Sequence, residues 1–254
     1  MNIPVYVSGL QYPDMKVARA GVRLQQLQEA VRLFRTGTPY AITREDDVES
    51  RQQKVRITLN CPSHLPILIG ELAFTLKSGL DQLAWQLALL GEHQPAHAIA
   101  FPIQPDRSRK SRERFMLATW DLPAEAVEII KTLQPYTLGD QFRTHPLWQL
   151  SNLCRLDKHA TLEVGGSKIS ITTPGPPGAC QRRELPDGVE FRIPFELKDQ
   201  VDIEVQPPDL VFGEAAHLPG SAFAVGEAEI AKIYEFVRDD VLPRFAKFFA
   251  GLPR

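Results

Sequence analysis

Apolar residues recur at helical spacing through "MKVARAGVRLQQLQEAVRLFR" (15–35), and "TGTP" ends the run. The next patterned stretch, "KVRITLN" (54–60), alternates and is rich in β-branched residues, which predicts a strand. A second long helix is predicted from about Pro66 to Leu90, with Leu72, Leu76, Leu80, Leu83, Leu87 and Leu90 in one apolar arc. Glu71, Thr75, Ser78, Gln82 and Gln86 form a polar stripe beside it, with Asp81 at its margin and Phe74 and Trp85 at its edges. Two readings fit that stripe: a solvated helix side, or a covered one in which Asp81 and Gln82 face an inner cleft walled by Trp85.

Further along, "AIAFPI" (98–103) is a short strand or an extended plug, and "PDRSRKSRERFMLATW" opens polar and turns amphipathic. "LPAEAVEIIKTLQPY" predicts a helix with Pro123 in its first turn and Pro135 as its stop, and "HPLWQLSNLCRLDKH" predicts another. After residue 160 the pattern shortens. "TLEVGGSKISITT" predicts a hairpin about Gly165 and Gly166, and "PGPPG" (174–178) a loop. "VEFRIPFEL", "VDIEVQ" and "DLVFGE" predict separate strands. A closing amphipathic helix follows, bent near Pro243. Helices first and strands later predict an α+β fold: an N-terminal helical bundle, an antiparallel sheet and a C-terminal amphipathic helix. The expected organisation is a single compact unit over 1–254, mainly helical over 1–160, strand-rich over 161–213 and closed by a helix over 225–252.

Composition narrows the function. The 254 residues include 29 basic and 31 acidic ones, a net charge of −2, so any nucleic-acid contact must be local. The first residues lack the basic and apolar regions of a secretory signal, and the longest apolar stretch carries Glu71, Lys77 and Asp81, which makes a membrane partner unexpected. Cys61, Cys154 and Cys180 are odd in number and far apart, so a reducing, cytoplasmic setting is expected, without a disulfide framework. No phosphate loop, dinucleotide fingerprint or zinc-ligand pattern is present, so no metal and no cofactor is expected. His93 and His97 are four apart, but Pro95 between them predicts a loop. Five of the eight residues 107–114 are cationic (Arg107, Arg109, Lys110, Arg112 and Arg114). They offer a local phosphate or RNA contact, or a solvated helix start.

The helix at 146–159 holds the densest chemistry. Trp148, Asn152, Arg155 and His159 share one face at i, i+4, i+7 and i+11, while Asp157 shares the apolar side with Leu147, Leu150, Leu153 and Cys154. Arginine offers a fork for phosphate oxygens, histidine a proton carrier near neutral pH, asparagine an orienting group. As catalytic residues His159 would be the base, Arg155 or Lys158 the charge stabiliser and Asn152 the positioning group. The opposing reading is structural, since Arg155, Lys158 and His159 in a last turn complement the helix dipole. Asp157 would then need a partner, and Lys77 is a candidate.

The segments "LKSGLDQLAWQLAL", "FPI", "LQPY" and "PLWQLSNLCRLDKH" together resemble a functionally uncharacterised bacterial family with the pattern (R)SALDHL…FPI…LQPY…PLWxL…DKHR. The resemblance covers about residues 68–162. This chain has Lys77 where the pattern has Arg, Gln82 where it has His, and Ala160 where it has the last Arg. The resemblance implies that Asp81 faces the Asp157–Lys158–His159 run from a neighbouring helix. A looser likeness is to the HEPN superfamily, which implies a helical, metal-independent RNase using an arginine and a histidine. Here Arg155 and His159 have three residues between them, one fewer than that motif's usual minimum, and lie at a helix end rather than a start.

Three functions follow as expectations. The first is a ligand-binding or scaffold protein with a polar cluster of Lys77, Asp81, Gln82, Trp148, Asp157 and Lys158 between two core helices. The second is a HEPN-like or other phosphate-handling enzyme. The third is an oligomerising partner protein that pairs with copies of itself through a sheet edge or the last helix.

Overall fold

The computed structural model describes residues 8–91, 99–159, 162–172, 180–185, 188–214 and 223–251. The fold is α+β, with helices first, two antiparallel sheets and a helical C-terminal region. His93 and His97 lie outside the described residues, as does the "PGPPG" loop.

The chain gathers into two compact units. The first comprises residues 1–26, 68–160 and 228–254, and the second residues 27–67 and 161–227. The reason lies in strand pairing. An early hairpin, β1 (Tyr40–Asp47) and β2 (Gln52–Leu59), joins β5 (Gly188–Pro194) and β4 (Gln181–Leu185) in the order β1-β2-β5-β4. Residues 136 and 132 positions apart therefore pair in one sheet, Val55 opposite Phe191 and Ile57 opposite Val189.

In the first unit, α1 (Gln11–Thr36) begins beside the end of α2 (His64–Ala88). Ser8 N–H donates to Gln86 Oε1 (2.7 Å), α1 passes closely over Gly79, and Arg23 pairs with Glu71 (2.8 Å). These contacts run up α1 as they run down α2, so the helices are antiparallel and α1 covers part of the polar stripe. The leucine arc of α2 is fully buried at Leu72, Leu76, Leu80, Leu83 and Leu87. Each such side chain contributes about 1.5–3 kcal/mol on leaving water.

Helices α3 (Arg109–Thr119), α4 (Ala124–Thr132) and α5 (Pro146–His159) follow, with a 3-10 segment at Pro135–Thr144. The C-terminal run continues from α6 (Glu227–Glu235) through a π-helical stretch (Phe236–Val241) into α7 (Leu242–Arg244). Here the bend expected at Pro243 takes the form of a wider turn just before the proline. Leu242 N–H reaches Val237 C=O, five residues back. Proline has no N–H and its ring crowds the carbonyl four residues earlier, so the ladder shifts register ahead of it.

The second unit departs from prediction in several places. β1 carries no apolar alternation because both its faces are exposed over most of its length, and the sequence pattern misses it. β3 (Glu163–Thr172) is one strand, not a hairpin. Gly165 and Gly166 pair with Val211 and Leu210 of β6 (Asp202–Glu214) as ordinary ladder residues. β6 is likewise one strand where two were expected. Its Pro207 and Pro208 fall between the pairs Ile169↔Val205 and Ser167↔Asp209, where the register shifts. A proline cannot donate to a ladder, and this irregularity removes the demand. β7 (Phe223–Gly226) completes the sheet β3-β6-β7 and takes residues 225 and 226 from the expected closing helix.

Candidate functional site

Asp81 sits on α2 where the leucine arc meets the polar side. Its Oδ1 accepts the Phe101 backbone N–H (2.9 Å) and pairs with the Lys77 ammonium one turn earlier. Phe101 belongs to the "FPI" segment, which is extended but in no sheet and has Phe101 and Pro102 buried. An extended segment inside a helical unit has no ladder to satisfy its backbone, so side chains must do it. Asp81 does so from one side and Gln134 from another. Gln134 is fully buried; its Oε1 accepts Gln104 N–H (2.8 Å) and its Nε2 donates to Pro102 C=O (3.0 Å) and Ile130 C=O (3.1 Å). "LD", "FPI" and "LQPY" thus meet as one hydrogen-bonded knot.

α5 lies antiparallel to α2. The Asp157 carboxylate crowds the Cα of Gly70, where an added Cβ would stand 2.0 Å from its Oδ1. Lys158 lies over the Phe74 ring, 5.6 Å from the centroid. Nearer the middle of α5, Cys154 feels the charges of Lys77 and Asp81. Burial pushes its thiol up to about 11, the opposite of what a nucleophilic cysteine needs.

The expected cluster is therefore split. Asp81 is eleven residues beyond Gly70 on α2, about 16 Å along a helix, and Asp157 is level with Gly70. The Asp157–Lys158–His159 run sits at one end of the α2–α5 contact and the Lys77–Asp81 pair toward the other. Lys77 pairs with Asp81 and not with Asp157, which is exposed. His159 is exposed and makes no hydrogen bond or ion pair with a described residue, and Arg155 is exposed as well. Asn152 turns its amide to its own helix, donating to Trp148 C=O (2.9 Å), while Trp148 meets Phe142 edge-on at 5.8 Å. Gln82 is half-buried on α2.

His145, which the sequence pattern did not mark, starts α5. Its backbone is extended, its C=O accepts Gln149 N–H (3.1 Å) and its Nδ1 accepts Leu147 N–H (3.2 Å), so it caps the helix as asparagine or serine usually does. The ring is buried and edge-on to Phe236 at 5.2 Å. Burial pushes the imidazole down to about 4, so it is neutral at pH 7 with its proton on Nε2.

A cleft of about 670 Å³ opens between α3, α4 and the 3-10 segment. Phe115, Met116 and Tyr136 line it with apolar surface, and Arg107, Arg112 and Lys131 bring positive charge. Arg107 lies over the Tyr136 ring at 4.7 Å. Lys131 pairs with Glu128 (2.6 Å), whereas Arg112 forms no ion pair with a described residue. Asp106 accepts Ser108 N–H (2.8 Å), and hydrogen bonds from the Ser108 and Ser111 side chains help hold its carboxyl below the usual range. Of the basic run, Arg107 and Arg112 face this cleft. Arg109 pairs with Glu113 in solvent (2.8 Å). Tyr136 is the last residue of the "LQPY" segment, whereas Lys131, Phe115 and Met116 carry no signal in the sequence, since each reads as ordinary amphipathic-helix composition.

All three cysteines are free thiols. Among the described residues no three His, Cys, Asp or Glu side chains form a metal-holding group, and no helix is long and apolar enough to cross a membrane. Comparisons with family models, curated proteins and solved structures return no match.

Proposed function

We propose that the protein binds a small ligand in the cleft framed by α3, α4 and the 3-10 segment, and that the α2–α5 polar groups chiefly hold the helical unit together. The observation that carries this reading is the cleft itself. At about 670 Å³ it falls within the size range of small-molecule sites. The surface it presents is mostly apolar although five of its twelve lining residues are charged, and apolar surface beside charged groups is the usual chemistry of such sites. The bonds of Asp81 support the second half, because its Oδ1 already serves Phe101 and Lys77.

A thermal-shift screen comparing wild type with Met116→Trp tests the proposal. Met116 is 59% exposed, so the larger ring fills the cleft without disturbing the core. Compounds that raise the wild-type midpoint should have no effect on the variant. A screen in which nothing stabilises wild type, or in which both chains respond alike, overturns the reading. A second variant separates the phosphoryl-handling alternative. His159→Ala should change stability by less than about 0.5 kcal/mol, as an exposed side chain does. RNA cleavage by wild type that vanishes in that variant would move the function from the cleft to the end of α5.

A further inference from the structure

We infer that the ligand of the α3–α4 cleft is an amphiphilic carboxylate: one anionic head on an apolar body. This rests on the cleft being the binding site. The charges at the cleft are three cations, Arg107, Arg112 and Lys131, against two carboxylates, Asp106 and Glu128. Both carboxylates already have partners, Asp106 at the start of α3 and Glu128 on Lys131. What remains for a ligand is the guanidinium of Arg112, with that of Arg107 nearby. A net excess of one positive charge matches a monoanion.

Arginine presents a planar fork that fits a carboxylate with two parallel hydrogen bonds. A cationic head would be repelled there, and a neutral head would gain no charge-assisted bidentate bond from the exposed Arg112 guanidinium. The body must be apolar because Phe115 and Met116 offer it nothing to hydrogen-bond. Met116 stays 59% exposed on a helix whose other inward positions, Phe115 and Thr119, are buried, so a ligand tail has unclaimed apolar surface to cover. A nucleotide fits less well. Its base needs an open aromatic face, and the Tyr136 ring already carries Arg107 at 4.7 Å.

Calorimetric titration of the full chain with decanoate, decanol, decyltrimethylammonium and decyl phosphate, each below its micelle concentration, tests the inference. Decanoate should bind best, with decanol and the cation weaker by about tenfold or more, the usual loss when a charged hydrogen bond is missing. Arg112→Gln should weaken decanoate by about tenfold and leave decanol unchanged. Met116→Trp should abolish decanoate binding. If decanol binds as tightly as decanoate and Met116→Trp blocks both, the cleft remains the binding site and the anionic class is wrong. Tighter binding of decyl phosphate than of decanoate overturns the carboxylate in favour of a phosphate head. If none of the four binds, the inference and the cleft reading fall together.

Discussion

Asp81, Gln134 and His145 are polar residues that each satisfy a backbone group, and they differ in how visible they are before folding. Asp81 is conspicuous as a charge on the edge of a leucine helix, and the Asp157–Lys158–His159 run as a dense charged helix end. Gln134 stands between Leu133 and Pro135 and His145 before Pro146, with no periodic pattern to mark either as buried. Their work depends on tertiary neighbours: an extended segment that lacks a ladder, and a helix start that lacks an Asn or Ser cap. The same limit applies to Asp81 and His159, which are expected to face each other and lie at different heights of the α2–α5 contact. A helical wheel gives the face of a residue but not its height against the next helix. His145 makes a testable case. Its folded pKa, about 4, lies below the ordinary value of 6.5, so the folded state prefers the neutral ring. The stabilisation is fully present above pH 6.5 and is lost as pH falls from there toward 4, with a total on the order of 2–3 kcal/mol. Urea unfolding of wild type and His145→Asn at pH 8, 6 and 4 should show the two stabilities converging as pH falls, because asparagine caps without titrating. Parallel curves would mean that the imidazole titrates normally.

Elements were legible where one face is wet and the other dry, and illegible otherwise. α2, α4, α5 and β5 have that asymmetry, and each lies within a few residues of its predicted place. β1 is wet on both faces and left no alternation. Gly165–Gly166 and Pro207–Pro208 are local turn signals that predict breaks in β3 and β6, and pairing with a partner strand overrides them. Another glycine of that sheet tests how closely the strands approach. A Cβ on Gly213 would stand 2.0 Å from Phe223 C=O, a backbone atom of the neighbouring β7 that has no rotamer to escape into. Gly213→Ala should therefore destabilise by about 1–3 kcal/mol or more, the cost of forcing backbone to shift in a packed region. Gly251→Ala, with nothing within 4 Å of the added methyl, is the matched control and should be neutral. Equal denaturant midpoints for the two variants would show that β6 and β7 separate easily at this point.

At the scale of the molecule, the α+β class follows from where the patterns change, but the division into units does not, because each unit draws on distant parts of the chain. The helical unit needs residues 228–254 as well as 68–160, and the strand unit needs 27–67 as well as 161–227. Neither can be completed until its last piece has been made. The C-terminal run gives the helical unit the buried side chains Ile230, Ile233, Val237, Val241, Leu242 and Phe245, and Phe236 packs on the His145 ring. At about 1.5–3 kcal/mol each, these six amount to on the order of 10 kcal/mol, comparable to the whole stability of an ordinary domain. A chain ending at Glu227 keeps every residue of the strand unit, including the partner of Arg35 (3.0 Å), but should lose the cooperative packing of the helical one. Near-UV circular dichroism and amide exchange read this directly. The tryptophans Trp85, Trp120 and Trp148 all belong to the helical unit, so its aromatic signal should collapse, and amides of the α2 leucine arc should exchange quickly. The β2–β5 amides, held by the Val55, Ile57, Phe191 and Ile193 core, should stay protected. Retention of the tryptophan signal and of α2 protection in the shortened chain would mean that the leucine arc finds its cover without the C-terminal helices.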